Sequence, residues 1–324
     1  MNRRAILASS AGSFVSTLTQ FRHATLALAE GESSWAKKMP MPEPRFGLHA
    51  SVIDNRIYVL GGEHTGPTSS PTGRMDIYDS AADKWSRATD MPTARGFFAT
   101  PILNGKIYAI GGTPNMAVRD PGIATVEIYD SKTDKWSRGA DMPTPRADLV
   151  ANEVSGKIYA IGGTRHVAVE ALGLVEEYDP ATDSWTRKAD MPTPRLHHAS
   201  AVIDGKIYVF GGCPEWPVPL ASVEMYDPAS DSWTKRANMP SERGGVWAAL
   251  LNGKVYVCGG IGWKNEALAT AEEYDPKTDR WRKLPDMPTP RFLLAVEAVG
   301  GSVYAIGGAA TDFSSLDAVE AFTP

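Results

Sequence analysis

The sequence predicts an all-β protein, a six-bladed β-propeller with four antiparallel strands in each blade. Three recurrences indicate this fold, because Gly-Gly pairs, tryptophans and arginines each recur six times at spacings of 50, 51, 49, 48 and 48 residues. A sustained period of this length is typical of stacked supersecondary units, and each unit would form one blade. The Gly pairs start at Gly61, Gly111, Gly162, Gly211, Gly259 and Gly307; the tryptophans are Trp35, Trp85, Trp136, Trp185, Trp233 and Trp281; the arginines are Arg45, Arg95, Arg146, Arg195, Arg243 and Arg291.

Each unit contains four strand signals, which the fourth unit illustrates. Residues 198–203 are apolar or small, and Asp204-Gly205 is a two-residue hairpin turn. Residues 206–210 are rich in β-branched and aromatic side chains, and two further short segments follow at 222–226 and 232–234. No window of helical length shows a 3.6-residue period, so helices are not expected.

The two chain ends predict how the ring closes. The sixth unit stops before any tryptophan, whereas Trp35 has no strands before it. The simplest resolution is that residues 34–38 supply the outer strand of the last blade. Pairing the two ends in this way removes open sheet edges, which would otherwise invite aggregation.

Tyr-Asp steps add a family resemblance to this pattern. A tryptophan follows seven residues after each tyrosine of these steps, and the Gly pairs lie upstream. The combination resembles the kelch repeat family over residues 34–324, and in particular exported six-bladed bacterial propellers. The tyrosines are Tyr78, Tyr129, Tyr178, Tyr226 and Tyr274.

Composition excludes several function classes. A formal charge of −5 argues against nucleic-acid binding, and two cysteines cannot build a disulfide framework or a paired-cysteine zinc site. No run approaches 18 apolar residues, so no membrane span is expected after the N-terminus. We expect a monomer without a cofactor or a bound metal.

Residues 1–29 resemble a twin-arginine export signal. Arg3 and Arg4 precede a modestly apolar stretch to about Leu18, and small residues follow at 27–29. Asn2 and Ala8 depart from the usual pattern. This organisation predicts a periplasmic or secreted propeller of residues 30–324; the alternative is an unstructured N-terminus.

The repeated arginines have two interpretations. Each opens an innermost strand on the face that bears the loops between the second and third strands, so six guanidinium groups could bind an acidic peptide or an anion. Alternatively, each pairs with an acid two residues before the aromatic of its own blade, and the equal numbers favour this pairing. The acids are Asp76, Glu127, Glu176, Glu224, Glu272 and Glu320.

Residues that break the repeat are the candidate ligand contacts. Trp216, Trp247 and Trp263 lie outside the repeated positions, and two of them follow Gly pairs of neighbouring blades. Loop aromatics beside hydrogen-bonding and charged groups suit a peptide or a sugar ring. The alternative for Trp216, which prolines flank, is that its ring packs onto the blade. The predicted binding residues are Trp216, Trp263, Lys264, His64, Arg119, Arg165 and His166.

An enzymatic role is the less favoured interpretation of the sequence. His197 and His198 are neighbours on a predicted strand and would point to opposite faces, so a copper oxidase site of the kelch type is not expected. Resemblance to exported sialic-acid mutarotases implies acid–base catalysis on a small sugar, for which Glu153 and Glu297 on inner strands are the candidates, with nearby arginines. The alternative is that these two acids line the water-filled channel and have no catalytic role.

The function predicted from the sequence is therefore an exported kelch-repeat binding scaffold. Its ligand would be a protein or a carbohydrate on the loop-bearing face. The alternatives are a small-sugar mutarotase or related carbohydrate enzyme, and a structural module of a surface assembly.

Overall fold

Six four-stranded antiparallel sheets make up the described part of the chain. The computed structural model describes residues 33–65, 70–115, 120–167 and 169–324, and these ranges contain strands and turns with no helix. The strand bounds in chain order are β1 (Ser34–Lys37), β2 (His49–Ile53), β3 (Arg56–Leu60), β4 (Met75–Asp79), β5 (Lys84–Arg87), β6 (Ile102–Leu103), β7 (Lys106–Ile110), β8 (Val126–Asp130), β9 (Lys135–Arg138), β10 (Val150–Val154), β11 (Lys157–Ile161), β12 (Val175–Asp179), β13 (Ser184–Arg187), β14 (Ala199–Ile203), β15 (Lys206–Phe210), β16 (Val223–Asp227), β17 (Ser232–Arg236), β18 (Trp247–Leu251), β19 (Lys254–Cys258), β20 (Ala271–Asp275), β21 (Arg280–Lys283), β22 (Ala295–Val299), β23 (Ser302–Ile306) and β24 (Val319–Thr323).

The sheets are the blades of a closed ring. Blades 1 to 5 are β2–β5, β6–β9, β10–β13, β14–β17 and β18–β21, and blade 6 has the order β1-β24-β23-β22. Inner strands of neighbouring blades lie against one another, and β22 packs on β2. The six-bladed propeller is therefore confirmed. Residues 1–32, which include the predicted export signal, lie outside the described residues.

The N-terminal strand closes blade 6 as predicted. Ser34–Lys37 pairs antiparallel with β24, and Trp35 lies opposite Phe322 with ring centroids 5.3 Å apart. The indole Nε1 of Trp35 also donates to the Pro285 carbonyl at 2.9 Å. The first strand is thus held both by the last strand of the chain and by the segment that follows blade 5.

A Tyr–Asp–Trp arrangement explains the outer half of the repeat. In blade 4 the Tyr226 hydroxyl donates to Asp231 at 2.6 Å, and the same carboxylate accepts the Ala189 backbone N–H at 2.9 Å. Trp233 Nε1 then donates to the Ala189 carbonyl at 3.0 Å. Ala189 follows the outer strand of blade 3, so the trio ties neighbouring blades together. Blades 1, 2, 3 and 5 repeat these contacts.

All six repeated arginines are buried in ion pairs. Arg195 is fully buried, and its Nη2 donates to Glu224 at 2.9 Å while Nη1 donates to the carbonyls of Gly211 and Ser222. Burial lowers the pKa of Arg195, and Glu224 opposes that shift. The internal-pairing interpretation is confirmed and the exposed anion-binding ring is wrong. The pairs are Arg45–Asp76, Arg95–Glu127, Arg146–Glu176, Arg195–Glu224, Arg243–Glu272 and Arg291–Glu320.

The Gly pairs permit close contact between blades. Gly211 and Gly212 have φ of 57° and 88°, in the left-handed region that favours glycine. A Cβ on Gly211 would lie 2.6 Å from the Arg243 carbonyl oxygen. The Gly212 N–H donates to that same oxygen at 3.0 Å, so the missing side chain allows one blade to bond to the next.

Candidate functional site

The propeller presents two faces around its axis. We call the side with the strand 2–3 loops and the links between blades the loop face, and the side with the strand 1–2 turns the hairpin face. Each inner strand runs from the loop face to the hairpin face.

A closed ring of six backbone hydrogen bonds surrounds the propeller axis at the loop face. The participating residues follow the repeated arginines by two positions, and each N–H donates to the carbonyl of the equivalent residue in the preceding blade. All six have φ between 51° and 59°. The donors and acceptors, in ring order, are Gly47 to Leu293 (3.0 Å), Leu293 to Gly245 (3.0 Å), Gly245 to His197 (2.9 Å), His197 to Asp148 (3.4 Å), Asp148 to Phe97 (2.8 Å) and Phe97 to Gly47 (3.0 Å). We refer to these residues as the axial ring.

An apolar cluster lies over the axis at the same face. Trp216 packs into it, with its ring centroid 4.9 Å from His197 and 6.1 Å from Phe292. The packing alternative for Trp216 is thus realised, although its side chain remains partly exposed. The axial cluster consists of Phe46, Phe97, Ala147, Val167, Trp216, Ile261, Ala267, Phe292, Leu293 and Ala309. Together with the axial ring it separates the loop face from the interior of the channel.

Trp263 is the most exposed large apolar side chain among the described residues, at 61%. It stands on a turn in which the Asn265 N–H donates to the Gly262 carbonyl at 3.0 Å. Its indole Nε1 donates to the Glu242 carboxylate, and the neighbouring Lys264 is exposed. The hydrogen bond to Glu242 therefore fixes the orientation of the indole, while the face of the ring remains open to solvent.

The other predicted loop residues are also at the loop face. His64, Arg165 and His166 are exposed on the strand 2–3 loops of blades 1 and 3. The Gly122 N–H donates to the Arg165 carbonyl at 2.8 Å, so the loops of blades 2 and 3 are bonded to each other. Arg119 lies outside the described residues.

Two further apolar side chains are exposed on these loops. Val169 is 37% exposed in the blade 3 loop, and Phe313 is 39% exposed in the blade 6 loop, where its ring packs on Phe292 at 5.1 Å. With Trp216 and Trp263, the loops of four consecutive blades each present a large apolar group. We call Val169, Trp216, Trp263 and Phe313 the loop-face apolar set.

The central channel holds a cavity of about 310 Å³ that the inner strands enclose. Its lining begins just below the axial ring, so its open end is at the hairpin face. His49 and Trp247, whose rings lie 4.7 Å apart, form the end nearest the axial ring. The remaining lining is mostly small and apolar: Ala50, Ala99, Ala151, Ala199, Ala201, Ala248, Ala249, Val52, Val150, Val202, Val296, Ile102, Leu250 and Pro101, with the polar residues Ser51, Thr100, Asn152, Ser200, Glu153 and Glu297.

The two acids of the cavity differ in their surroundings. Glu153 is near the hairpin face, and its Oε1 accepts the Gly156 backbone N–H of the adjacent turn at 2.7 Å. Glu297 lies deeper and makes no hydrogen bond or ion pair with the described residues. Desolvation raises the pKa of Glu297 to about 8, so this carboxyl is largely protonated at neutral pH.

Comparisons with known proteins agree with this architecture. The KLHDC2/KLHL20/DRC7 Kelch-repeats domain profile matches residues 138–308, more than half of the chain, and the Kelch motif profile matches residues 44–92 and 94–143. The chain belongs to the kelch repeat family. Kelch-like protein 40 of Xenopus tropicalis is 34% identical over 130 residues, which is 40% of this chain and 20% of that protein. Alpha-scruin of Limulus polyphemus is 30% identical over 134 residues, which is 40% of this chain and 14% of that protein.

A solved structure shares the fold of this kelch propeller over most of its length. The structure of YjhT superimposes with a TM-score of 0.74 at 16% identity, covering 86% of this chain and 95% of that chain. The curated relatives are longer proteins, and the aligned region spans about a fifth of kelch-like protein 40. These matches establish the family and the propeller fold.

The kelch propeller departs from two sequence-based expectations about chemistry. His197 and His198 precede β14 rather than lying on it, because His197 belongs to the axial ring, and both are buried. No repeated arginine lines the cavity, since each is paired within its blade, so the expected partnership of Glu153 with nearby arginines is wrong. No cluster of three metal-ligating side chains occurs within residues 33–65, 70–115, 120–167 and 169–324.

Several features of the site had little sequence signal. The axial ring uses residues as different as glycine, aspartate and leucine, because its bonds come from the backbone. The cavity lining is rich in alanine, and a small residue on an inner strand does not by itself indicate a binding site.

In the described ranges there is no helix with the length and apolar character needed to cross a membrane.

Proposed function

We propose that this kelch propeller is a binding scaffold whose ligand, a protein, docks on the loop face. The observation that supports it best is Trp263, which exposes 61% of its surface while Glu242 fixes its indole N–H. Exposed tryptophans oriented in this way are typical anchors of protein interfaces. Kelch propellers typically mediate protein interactions, and the family assignment supports this class of ligand.

The loops that present these side chains are bonded to one another. The Ala171 N–H donates to the Pro214 carbonyl at 3.3 Å, linking blades 3 and 4. The Ala267 N–H donates to Thr311 Oγ1 at 3.0 Å, linking blades 5 and 6. A preorganised surface loses less conformational entropy on binding, which favours affinity.

The chemistry of the surface favours a protein over a carbohydrate. A sugar stacks on an aromatic face and hydrogen-bonds to polar neighbours, for which Trp263 and Lys264 would suffice. Val169 and Phe313 add exposed apolar surface that a polypeptide buries better than a sugar does. Arg165, His166 and Lys264 supply charged or polar groups at its rim.

Quantitative affinity capture tests this proposal. Wild-type propeller, Trp263→Ala and Leu250→Ala are immobilised and exposed in parallel to an extract of the source organism and to a glycan array. Leu250 is 41% exposed at the cavity, so it is a matched apolar control remote from the loop face. We expect a protein captured by the wild type and Leu250→Ala and lost with Trp263→Ala. Capture of a glycan alone, or of proteins equally by all three, would contradict the proposal.

Export as a monomer is a further part of this proposal. Arg3 and Arg4, the apolar stretch and the small residues at 27–29 support the export part of this proposal. Expression in a bacterium that has the twin-arginine pathway should yield a periplasmic product lacking about the first 29 residues, as read by intact mass. Retention of the full chain in the cytoplasm, with no effect of replacing both arginines by lysine, would refute export.

A further inference from the structure

The central cavity is a second concave site, distinct from the loop face. The axial ring and the axial cluster close it on one side, and it opens at the hairpin face. Its volume of about 310 Å³ is at the lower end of the range of small-molecule sites. Alanine and valine side chains make up much of the lining, and polar side-chain and backbone groups are exposed among them.

Polar groups of the cavity are concentrated at mid-depth. Glu297 of blade 6 and Asn152 of blade 3 occupy equivalent strand positions, and these blades are three apart in a ring of six, so the two residues are on opposite sides. Glu297 has no partner among the described residues. The buried Oδ1 of Asn152 likewise has none. A carboxyl group without a counter-ion thus faces the cavity.

We propose that the central cavity binds a small organic cation, an ammonium group on a compact apolar body, with Glu297 as its counter-ion and Trp247 as its aromatic contact. This inference goes beyond the protein-binding role of the loop face, and it concerns a different surface. Indole rings attract ammonium groups through their π electrons, and quaternary ammonium ligands are recognised in this way.

The lining disfavours the other classes of small ligand. No lysine or arginine lines the cavity, so an anion would meet only acids and no cationic partner. A divalent metal needs several oxygen ligands, whereas the deep part of the cavity offers one carboxyl group. Ser51 Oγ and Thr100 Oγ1 already donate to the Thr100 and Ala50 carbonyls, at 2.6 Å and 3.1 Å. A neutral polar ligand therefore finds few unengaged hydroxyl groups.

The protonation of Glu297 provides a specific signature for cation binding. Its pKa of about 8 has desolvation as its one cause, and a bound cation would favour the carboxylate and release the proton. Titratable or charged groups on the elements around it are His49 on β2, Arg56 and Tyr58 on β3, Glu153 on β10 and Tyr304 on β23. His49 is neutral, because burial lowers its pKa to about 3. The strands β6, β14 and β18 carry no titratable side chain.

Isothermal titration calorimetry with benzyltrimethylammonium tests the proposal on the full chain. This probe keeps its charge at every pH, so any pH dependence belongs to the protein. Benzyl alcohol and benzoate serve as neutral and anionic probes of similar size. We expect binding of the cation alone, quenching of Trp247 fluorescence that Trp247→Phe removes, and release of nearly one proton at neutral pH in buffers of different ionisation enthalpy. Affinity should rise by about tenfold or more from pH 6 to pH 9, as Glu297 ionises.

Two variants separate the counter-ion from general charge effects. Glu297→Gln should weaken binding of the cation by about tenfold or more and abolish proton release. Glu153→Gln makes the same change at the second acid of the lining, which the Gly156 N–H already holds, and it should weaken binding less than Glu297→Gln does. Absence of cation binding to the wild type, equal binding of benzyl alcohol, or affinity independent of pH would overturn the proposal. The pH arm uses the wild type, so it stands even if Glu297→Gln fails to fold. Loop-face capture is measured separately, and its failure would leave this result unaffected.

Discussion

Asp148 Oδ1 lies 3.1 Å from His197 Nδ1 at the centre of the propeller, and both side chains are buried. Both residues belong to the axial ring, so their backbones are fixed by hydrogen bonds to neighbouring blades. Desolvation raises the pKa of Asp148 and lowers that of His197 to about 3. Neither carboxyl oxygen of Asp148 makes a hydrogen bond to the described residues, so desolvation favours the neutral form of both side chains.

The shifted pKa values of Asp148 and His197 predict how the stability of the propeller depends on pH. Above about pH 6.5 the histidine of the unfolded chain releases its proton while the raised pKa of folded Asp148 favours its protonated form, so the free energy of unfolding falls as pH rises. Below about pH 4 the unfolded chain binds two protons at these residues, so stability falls as pH decreases toward the His197 pKa of about 3. Glu297, with its pKa of about 8, adds to the alkaline loss, and His49 and His198 add to the acid loss.

Urea unfolding from about pH 4 to pH 9 measures this dependence. We expect maximal stability near pH 6, and Asp148→Asn should remove about 1 kcal/mol per pH unit from the alkaline slope. Glu297→Gln is the matched variant for the second contribution. An alkaline slope that Asp148→Asn leaves intact would show that Asp148 is not protonated in the folded protein.

Trp35 tests the closure of the ring. Replacing Trp35 by alanine removes its packing on Phe322 and its bond to the Pro285 carbonyl, and should cost about 2 kcal/mol. Trp263→Ala is the control, because that exposed ring should change stability by less than about 0.5 kcal/mol. Deleting residues 30–40 should lower the melting temperature by several degrees or prevent soluble expression. An unchanged melt after that deletion would refute the closure.

The buried arginines should be the costliest repeated residues to alter. Arg195→Lys retains the charge but cannot reach Glu224, Gly211 and Ser222 together, so we expect a loss of about 3–5 kcal/mol in urea unfolding. Arg187→Lys changes an exposed pair with Asp190 and should cost about 0–1 kcal/mol. Equal effects at the two positions would contradict a structural role for the arginine series.

Amide hydrogen exchange can detect the axial ring directly. The six ring N–H groups should exchange as slowly as inner-strand amides, although they lie outside the strands. His197 has the longest of these bonds, at 3.4 Å, and its amide should exchange fastest. Loop-like exchange at Gly47, Phe97 and Leu293 would show that the ring is open in solution.

Most of the fold, but only part of the candidate site, could be predicted from the sequence. Six Gly-Gly pairs, six tryptophans and five Tyr-Asp steps predicted the blade number, because each blade needs the same contacts with its neighbour. Pairing of Arg195 with Glu224 followed from equal numbers of bases and acids. The axial ring and the direction in which the cavity opens did not follow, since backbone bonds and alanine walls have no distinctive side chains.

The two spare loop tryptophans show the same limit. Trp216 and Trp263 occupy similar sequence positions after Gly pairs, yet one packs over the axis and the other is 61% exposed. The difference depends on His197 and Phe292, which come from other blades and meet Trp216 only in the folded ring.

Site-specific photo-crosslinking tests the central claim most directly. A photoreactive amino acid is placed at Lys264, beside Trp263 on the loop face, and separately at Lys235 on the outer strand β17, which is also exposed. We predict one covalent adduct with a partner protein at position 264, none at 235, and loss of the adduct when Trp263→Ala is added. Adducts at position 235 alone, or an adduct at 264 that survives Trp263→Ala, would contradict a ligand site on the loop face.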